Sequence, residues 1–113
     1  MLPNVERITQ DKSQVYWINT YEAYDAVAAT ARALMVQKNH DYGDSWRLMR
    51  STSITDQIRV KIMRIIELEG LEASGSAPKV SEGIESEFRD ILNYAAFSLI
   101  KIEEAKKTKN KEG

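Results

Sequence analysis

Apolar residues recur at steps of three and four along most of this 113-residue chain, and this periodicity restricts the fold more than any other feature. A helix with 3.6 residues per turn places such positions on one face, which another element must cover. We find no convincing example of the two-residue alternation that is typical of a half-buried strand. We therefore predict an all-α fold, a bundle of three main helices plus short helical turns.

The first helix is predicted from an N-cap at Thr20 to Lys38, and the chain is expected to leave it near Gly43. The apolar positions that define this helix are Tyr24, Val27, Ala28, Ala31, Leu34 and Met35. A short helical turn containing three apolar side chains should then fold back onto the core. These are Trp46, Leu48 and Met49.

The second helix is predicted to begin at Ser53, with Asp56 completing a capping-box-like pair, and to stop at Gly70. A flexible loop over 72–80 should precede a third helix, which is capped by Ser81 and ends near Ala105. The apolar face of the second helix contains Ile58, Ile62, Met63, Ile65 and Ile66. The buried stripe of the third contains Phe88, Ile91, Leu92, Ala95, Leu99 and Ile102.

The chain divides by pattern into a weakly patterned N-terminal extension (1–19), a helical domain (20–105) and a tail (106–113). An apolar cluster at residues 15–18 in the extension suits packing on the domain or on a neighbouring subunit. The tail is rich in lysine and has no apolar residue, so we expect it to be disordered. A short chain with this much apolar helix surface should form an oligomer, a dimer or a tetramer.

Composition excludes several classes of site and of partner. The chain has no cysteine and only one histidine, His40, so disulfides, thiolate chemistry and multi-histidine metal sites are excluded within one chain. The net charge of −1 argues against general nucleic-acid binding. The start of the chain lacks a basic segment followed by an apolar core, and no apolar stretch is long enough to cross a bilayer. We expect a cytoplasmic protein.

Two pairs of charged residues are the first candidates for chemistry. Glu87 and Asp90 are three residues apart, so their carboxylates share a helix face and suit Mg²⁺ together with substrate phosphates. The alternative is a solvated acidic face favoured by the helix dipole. Lys61 and Arg64 suit a clamp on phosphate oxygens. Their alternative is a set of surface salt bridges, to Glu67 or to the third helix, worth under ~1 kcal/mol each.

The stretch 38–46 combines aromatic, cationic and anionic residues at the predicted end of the first helix. Tyr42 and Trp46 suit stacking on a base, but both are equally suited to anchor the core. Lys38 and Asp41 are interpreted as contacts to polar groups of a ligand, whereas His40 is interpreted as an incidental surface residue. Farther along the chain, Asn93 and Tyr94 lie beside Asp90 and suit support of the interface between helices, and Tyr94 is also a candidate for the site.

Four blocks of sequence resemble the nucleotide modification associated domain 1 family of bacteria and phages, first catalogued as a domain of unknown function. They are Lys38-Asn-His-Asp-Tyr-Gly-Asp-Ser-Trp46-Arg47, Ser53-Ile-Thr-Asp-Gln-Ile58, Lys61-x-x-Arg64-Ile65, and Glu85-Ser-Glu-Phe88 followed by Ile91-Leu-Asn-Tyr94. The resemblance extends over about residues 24–104. The family is in turn similar to the all-α nucleoside triphosphate pyrophosphohydrolases, which include MazG and the dimeric dUTPases.

That wider similarity implies a Mg²⁺-dependent enzyme in which metal-activated water attacks the phosphate chain of an NTP or dNTP and releases pyrophosphate. Glu87 and Asp90 match the second acidic motif of those enzymes, Glu-x-x-Asp. The first motif, Glu-Glu-x-x-Glu, is replaced here by Lys61-x-x-Arg64-x-x-Glu67. Either Glu67 or Asp41 completes the metal ligands, or catalysis is absent and the cations hold phosphate directly.

The resulting hypotheses are three. In the first, the chain is a pyrophosphohydrolase with Glu87, Asp90 and Glu67 as catalytic and metal-binding residues. In the second it is a non-catalytic nucleotide-binding or regulatory module, and in the third a structural helical oligomer. The substrate contacts expected under the first two are Lys38, Asp41, Tyr42, Trp46, Lys61, Arg64 and Tyr94.

Overall fold

Residues 19–75 and 79–112 are described in the computed structural model of this chain, and within these ranges every regular element is a helix. The elements are α1 (Thr20–Tyr42), a 3-10 helix (Ser45–Leu48), α2 (Ser51–Ala73) and α3 (Lys79–Glu112). The prediction of an all-α fold with three main helices is therefore confirmed. The apolar cluster at 15–18, with the rest of the N-terminal extension before Asn19, lies outside the described residues.

The N-cap of helix α1 lies one residue earlier than the sequence predicted. Asn19, not Thr20, is the N-cap, because its Oδ1 accepts hydrogen bonds from the backbone N–H of Tyr21 (2.8 Å) and of Glu22 (3.1 Å). The helix continues past Lys38 to Tyr42. It ends at Gly43, as expected, because the positive φ of 64° there is a conformation that glycine adopts at little cost.

Helix α2 differs from the prediction at both ends. It begins at Ser51 after Arg50, whose side chain forms no capping hydrogen bond, so the predicted capping box at Ser53 is wrong. Gly70 does not stop the helix, since its carbonyl accepts a hydrogen bond from Ser74 N–H at 3.3 Å. The left-handed glycine is Gly75 (φ 86°), and one exposed glycine inside a helix costs only about 1 kcal/mol.

Helix α3 is longer than predicted in both directions. It begins at Lys79, so the predicted cap at Ser81 and the end of the loop at Val80 are wrong. At the other end it continues from Ala105 to Glu112, where the sequence predicted a tail without structure. The extension contains four lysines and one glutamate, which propagate helices well, and the ion pair between Lys106 and Glu103 connects it to the preceding turn.

The core lies where the 3-10 helix meets α2 and α3. Trp46, Ile54 and Phe97 are buried together, and Met35, Met49, Ile58 and Tyr94 pack against them. The Trp46 and Phe97 rings are stacked, with centroids 4.5 Å apart and an angle of 7° between planes. Helix α3 makes its most extensive contacts with α2 and fewer with α1. The long third helix is therefore the element that organises the domain.

Several residues that the sequence assigned to buried faces are exposed. Within the described ranges these are Tyr24, Val27, Leu48, Ile62, Met63, Ile66, Phe88, Leu99 and Ile102. The reason is that one chain supplies too few elements to cover every apolar stripe on three long helices. No helix of the described residues has the length and apolar character needed to cross a membrane.

Candidate functional site

A cluster of five charged side chains lies at the meeting of the three helices. Its centre is Lys61 of α2, whose Nζ lies 2.9 Å from Asp90 Oδ2 and 3.6 Å from Glu87 Oε2 on α3. All three side chains are 13–14% exposed. They come together because Lys61 occupies the face of α2 that packs on α3, while the i, i+3 spacing points both carboxylates of α3 towards it.

The other two members, Lys38 and Arg64, lie at the rim of this charge cluster. Lys38 Nζ is 3.5 Å from Asp90 Oδ1, and Arg64 Nη1 is 3.8 Å from Glu87 Oε1. Their side chains are 56% and 58% exposed, in contrast to the buried centre. The cluster therefore has two solvent-exposed cations around a largely buried ion-pair centre, and its five groups carry one more positive than negative charge.

The predicted metal ligands do not assemble into one site. Glu67 is exposed on α2 and shares no ion pair with any described residue, and the described residues contain no group of three acidic, histidine or cysteine side chains arranged to hold a metal. The space between Glu87 and Asp90 is taken by the Lys61 ammonium group. A divalent ion would have to displace that ammonium, so the side chains as arranged do not fit Mg²⁺.

A cavity of about 200 Å³ opens beside the charge cluster, between α1, the 3-10 helix and α3. Its apolar wall consists of Met35, Trp46, Met49, Tyr94 and Phe97. Its polar lining consists of Lys38, Asn39, Ser45, Asp90 and Asn93. Lys38 and Asp90 thus belong to both the cavity and the charge cluster, which makes the two features one continuous site.

Trp46 is a core residue within this wall and not a free stacking surface. Its ring stacks on Phe97, and the Arg47 guanidinium carbon lies 4.6 Å from the indole centroid. The parallel Phe97 ring covers one face of the Trp46 indole, so the Arg47 guanidinium lies over the other face. Tyr94 approaches Phe97 edge-on, with centroids 6.1 Å apart, and is only partly buried. Of the two aromatic rings predicted near a ligand in this cavity, Tyr94 is the more available.

The remaining predicted contacts fall at the end of α1. The backbones of Asp41 and Tyr42 form its last turn, but their side chains lie outside the described part of the structure. His40 is exposed in the same turn. The assignment of His40 to the surface agrees with this, whereas the roles predicted for Asp41 and Tyr42 stay predictions.

Comparison with known families decides the relationship that the sequence blocks suggested. The model of the family described as nucleotide modification associated domain 1 matches residues 38–102, more than half of the chain. The chain belongs to the nucleotide modification associated domain 1 family. No curated protein and no solved structure matches it. Every member of the charge cluster lies within the matched range.

The nucleotide modification associated domain also contains positioning residues that sequence reasoning did not assign. Lys101 of α3 donates hydrogen bonds to the backbone carbonyls of Met49 (2.7 Å) and Arg47 (3.1 Å). Arg47 in turn donates to both carboxylate oxygens of Glu104 at 2.7 Å. The hydrogen bond to Glu104 raises the pKa of Arg47 above its usual value. These contacts fix the 3-10 helix, and hence one wall of the cavity, to α3.

Asn93 forms a further tether in the domain, on the α1 side. Its Nδ2 donates to the carbonyl of Ala31 at 3.0 Å and so connects the middle of α3 to α1. The sequence interpretation of Asn93 as a support for the interface between helices agrees with this contact. Nothing in the local sequence pairs Lys101 with a carbonyl or Arg47 with Glu104, since these partners are more than fifty residues apart in the chain.

Proposed function

We propose that this protein binds a nucleotide, with the base in the cavity and the phosphates at the charge cluster. The observation that supports the proposal most strongly is that Lys38 and Asp90 line the cavity and also join the cluster. A ligand that carries a ring at one end and an anionic group at the other matches this arrangement. A nucleotide has that form, and the name of the family concerns nucleotides.

The phosphate contacts are assigned to Lys38 and Arg64. Each is more than half exposed and held by one long contact, at 3.5 Å and 3.8 Å respectively. Each pair joins an exposed cation to a carboxylate that Lys61 also neutralises, and surface salt bridges are worth about 0–1 kcal/mol, so both side chains can turn to a phosphate at little cost. Arg64 offers a planar fork for two phosphate oxygens, and Lys38 offers a point charge next to the cavity.

The base is assigned to the cavity wall formed by Tyr94 and the two methionines, Met35 and Met49. The volume of about 200 Å³ is smaller than the roughly 300–1,000 Å³ of pockets that enclose a drug-sized ligand. It suits one ring system, with the sugar and phosphates outside. The Asn39 Oδ1 and the Ser45 hydroxyl at the lining are assigned to the edge of a base, whereas Asn39 Nδ2 already donates to Asp44 Oδ1 at 3.0 Å.

A Mg²⁺-dependent pyrophosphohydrolase, as in the MazG-like enzymes that the sequence resembles, is the second candidate. It is favoured by the adjacent carboxylates of Glu87 and Asp90 and by the buried Glu87 Oε2, which has no hydrogen-bond partner among the described residues. The position of Lys61 opposes it. Incubating the protein with NTPs or dNTPs and Mg²⁺ tests this candidate, and release of pyrophosphate would establish it.

Equilibrium dialysis with labelled ribo- and deoxyribonucleotides tests nucleotide binding. We expect at least one nucleotide to bind, and Arg64→Met to weaken that binding about tenfold or more, the value of one charge-assisted hydrogen bond. The matched control is Arg59→Met. Arg59 lies on the same helix, is exposed and pairs with no described residue other than Asp56, so its loss should leave the affinity unchanged.

Two results would contradict the proposal. One is that no nucleotide of the panel binds, which would favour the structural helical oligomer. The other is an equal loss of affinity in Arg64→Met and Arg59→Met, because a general charge effect would then explain the binding without this site. Lys38→Met, compared with Lys106→Met on the exposed end of α3, repeats the comparison at the cavity side of the cluster.

We further propose a cytoplasmic homodimer or homotetramer. The support is the amount of exposed apolar surface, including Met63 and Ile66 on α2 and a groove of about 390 Å³ between α1 and α3 that Val27, Phe88 and Leu92 line. Contiguous apolar surface of this kind marks interfaces between subunits in soluble proteins. Light scattering that gives the monomer mass at micromolar concentration would overturn this assembly.

A further inference from the structure

The centre of the charge cluster has the layout of a metal site with an ammonium group in place of the metal. The Nζ of Lys61 lies between two carboxylates that belong to the next helix, at 2.9 Å from Asp90 Oδ2 and 3.6 Å from Glu87 Oε2. All three groups are largely buried. Oxygen ligands from two neighbouring carboxylates are the usual protein contribution to a Mg²⁺ site.

The charges of the cluster oppose a second cation. Lys38, Lys61 and Arg64 supply three positive charges, and Glu87 and Asp90 supply two negative charges. A divalent ion would enter a cluster that is already positive, and each carboxylate oxygen it needs already faces a lysine or an arginine. The Lys61 ammonium group is part of α2 and already lies between the two carboxylates, whereas a metal ion would have to bind there from solution.

We propose that Lys61 is the resident cation of this site and that the site takes a phosphate group directly, without a divalent metal. The two carboxylates then serve to hold Lys61 in place. The phosphate is bound by Lys38 and Arg64 at the rim. The part of this inference that concerns phosphate rests on the proposed function, whereas the part that concerns the metal does not.

The metal half is tested with Mn²⁺ alone, measured by the loss of the free-ion electron paramagnetic resonance signal. We expect the wild-type protein to bind no Mn²⁺ at stoichiometric concentrations. Lys61→Met removes the ammonium group and keeps an unbranched chain, so Mn²⁺ should bind that variant about tenfold or more tightly than wild type. The double variant Lys61→Met/Asp90→Asn should lose the gain, because one carboxylate is gone.

Stoichiometric Mn²⁺ binding by the wild-type protein would overturn the inference, and this result is decisive even where Lys61→Met does not fold. A folded Lys61→Met variant that binds Mn²⁺ no better than wild type would also overturn it. Circular dichroism establishes which variants are folded. Arg59→Met is the control for a general change in charge, and it should show no gain.

The phosphate half is tested by nucleotide affinity measured in EDTA and again in Mg²⁺. We expect the affinity in EDTA to be equal to or higher than that in Mg²⁺. Binding that appears only with Mg²⁺ would overturn the inference and leave the proposed function intact. Absence of binding in both conditions would instead reject the proposed function, so the two failures are distinguishable.

Discussion

Lys61 Nζ lies 2.9 Å from Asp90 Oδ2, and this contact joins α2 to α3 at the point where both side chains are largely buried. Asp90 also receives Lys38 from α1 at 3.5 Å. One carboxylate therefore connects all three helices. Its removal should affect stability as well as any binding at the site.

Asp90→Asn is expected to lower the free energy of unfolding by about 1–3 kcal/mol, because it leaves the largely buried Lys61 ammonium without its closest counter-charge. Urea unfolding followed by circular dichroism measures the change. The matched control is Asp56→Asn on the exposed side of α2, where the effect should stay within ~0.5 kcal/mol. Equal effects of the two substitutions would show that Asp90 is not a structural connection.

Lys101→Met should loosen the 3-10 helix, because the ammonium group donates to the carbonyls of Arg47 and Met49. The expected loss of stability is about 1.5–3 kcal/mol, the range for hydrogen bonds that involve a charged group. Hydrogen exchange should accelerate at the amides of residues 44–50. Lys106→Met removes a lysine from an exposed ion pair on the same helix, and protection of 44–50 should not change in that variant.

Two glycine-to-alanine substitutions should have opposite signs. Gly43→Ala places a Cβ at φ 64° and ψ −158°, a conformation that is almost restricted to glycine, and should destabilise the protein by about 1–3 kcal/mol. Gly70→Ala lies inside α2 with no atom near the added Cβ, and should stabilise by about 0.5–1 kcal/mol. Thermal unfolding of both variants checks this. If Gly70→Ala destabilised the protein instead, that result would favour the sequence prediction that the helix ends at Gly70.

Phe97→Ala and Leu99→Ala test the position of the core on α3. Phe97 is buried against Trp46, and its truncation should cost about 3–5 kcal/mol. Leu99 is 63% exposed, so its truncation should change the stability of the monomer by less than ~1 kcal/mol. Urea midpoints of the two variants give the comparison. A larger loss for Leu99→Ala would mean that a subunit interface covers it.

The sequence was sufficient for the number of helices and for the two pairs of charged residues within them. Apolar periodicity depends only on the geometry of a helix, so the three main helices could be predicted without knowledge of the packing. Spacing i, i+3 places Glu87 and Asp90 on one face of α3, and Lys61 and Arg64 on one face of α2, for a related reason. The meeting of these two faces does not follow from the spacing, because it depends on which helix lies opposite.

What could not be predicted depends on contacts between distant parts of the chain. On the helical wheel Ile66 and Phe88 lie on apolar faces, as Ile65 does, and all three are predicted to be buried. Of these three only Ile65 is buried, because burial depends on which helix lies opposite. The tether from Lys101 to the 3-10 helix joins residues more than fifty positions apart. Helix ends were also misplaced, since a capping residue such as Asn19 competes with an equally suitable neighbour, Thr20.

Helix α3 carries the carboxylates of the cluster and two aromatic residues of the cavity wall, Tyr94 and Phe97. About three to four turns beyond Asp90 it also carries the anchors of the 3-10 helix, Lys101 and Glu104. Insertion of one residue into a helix rotates everything beyond it by about 100°. A single insertion between Asp90 and Lys101 would therefore put the two halves of the site out of phase, although it would remove no side chain. The rotational position of each half of α3 is therefore fixed by the other half.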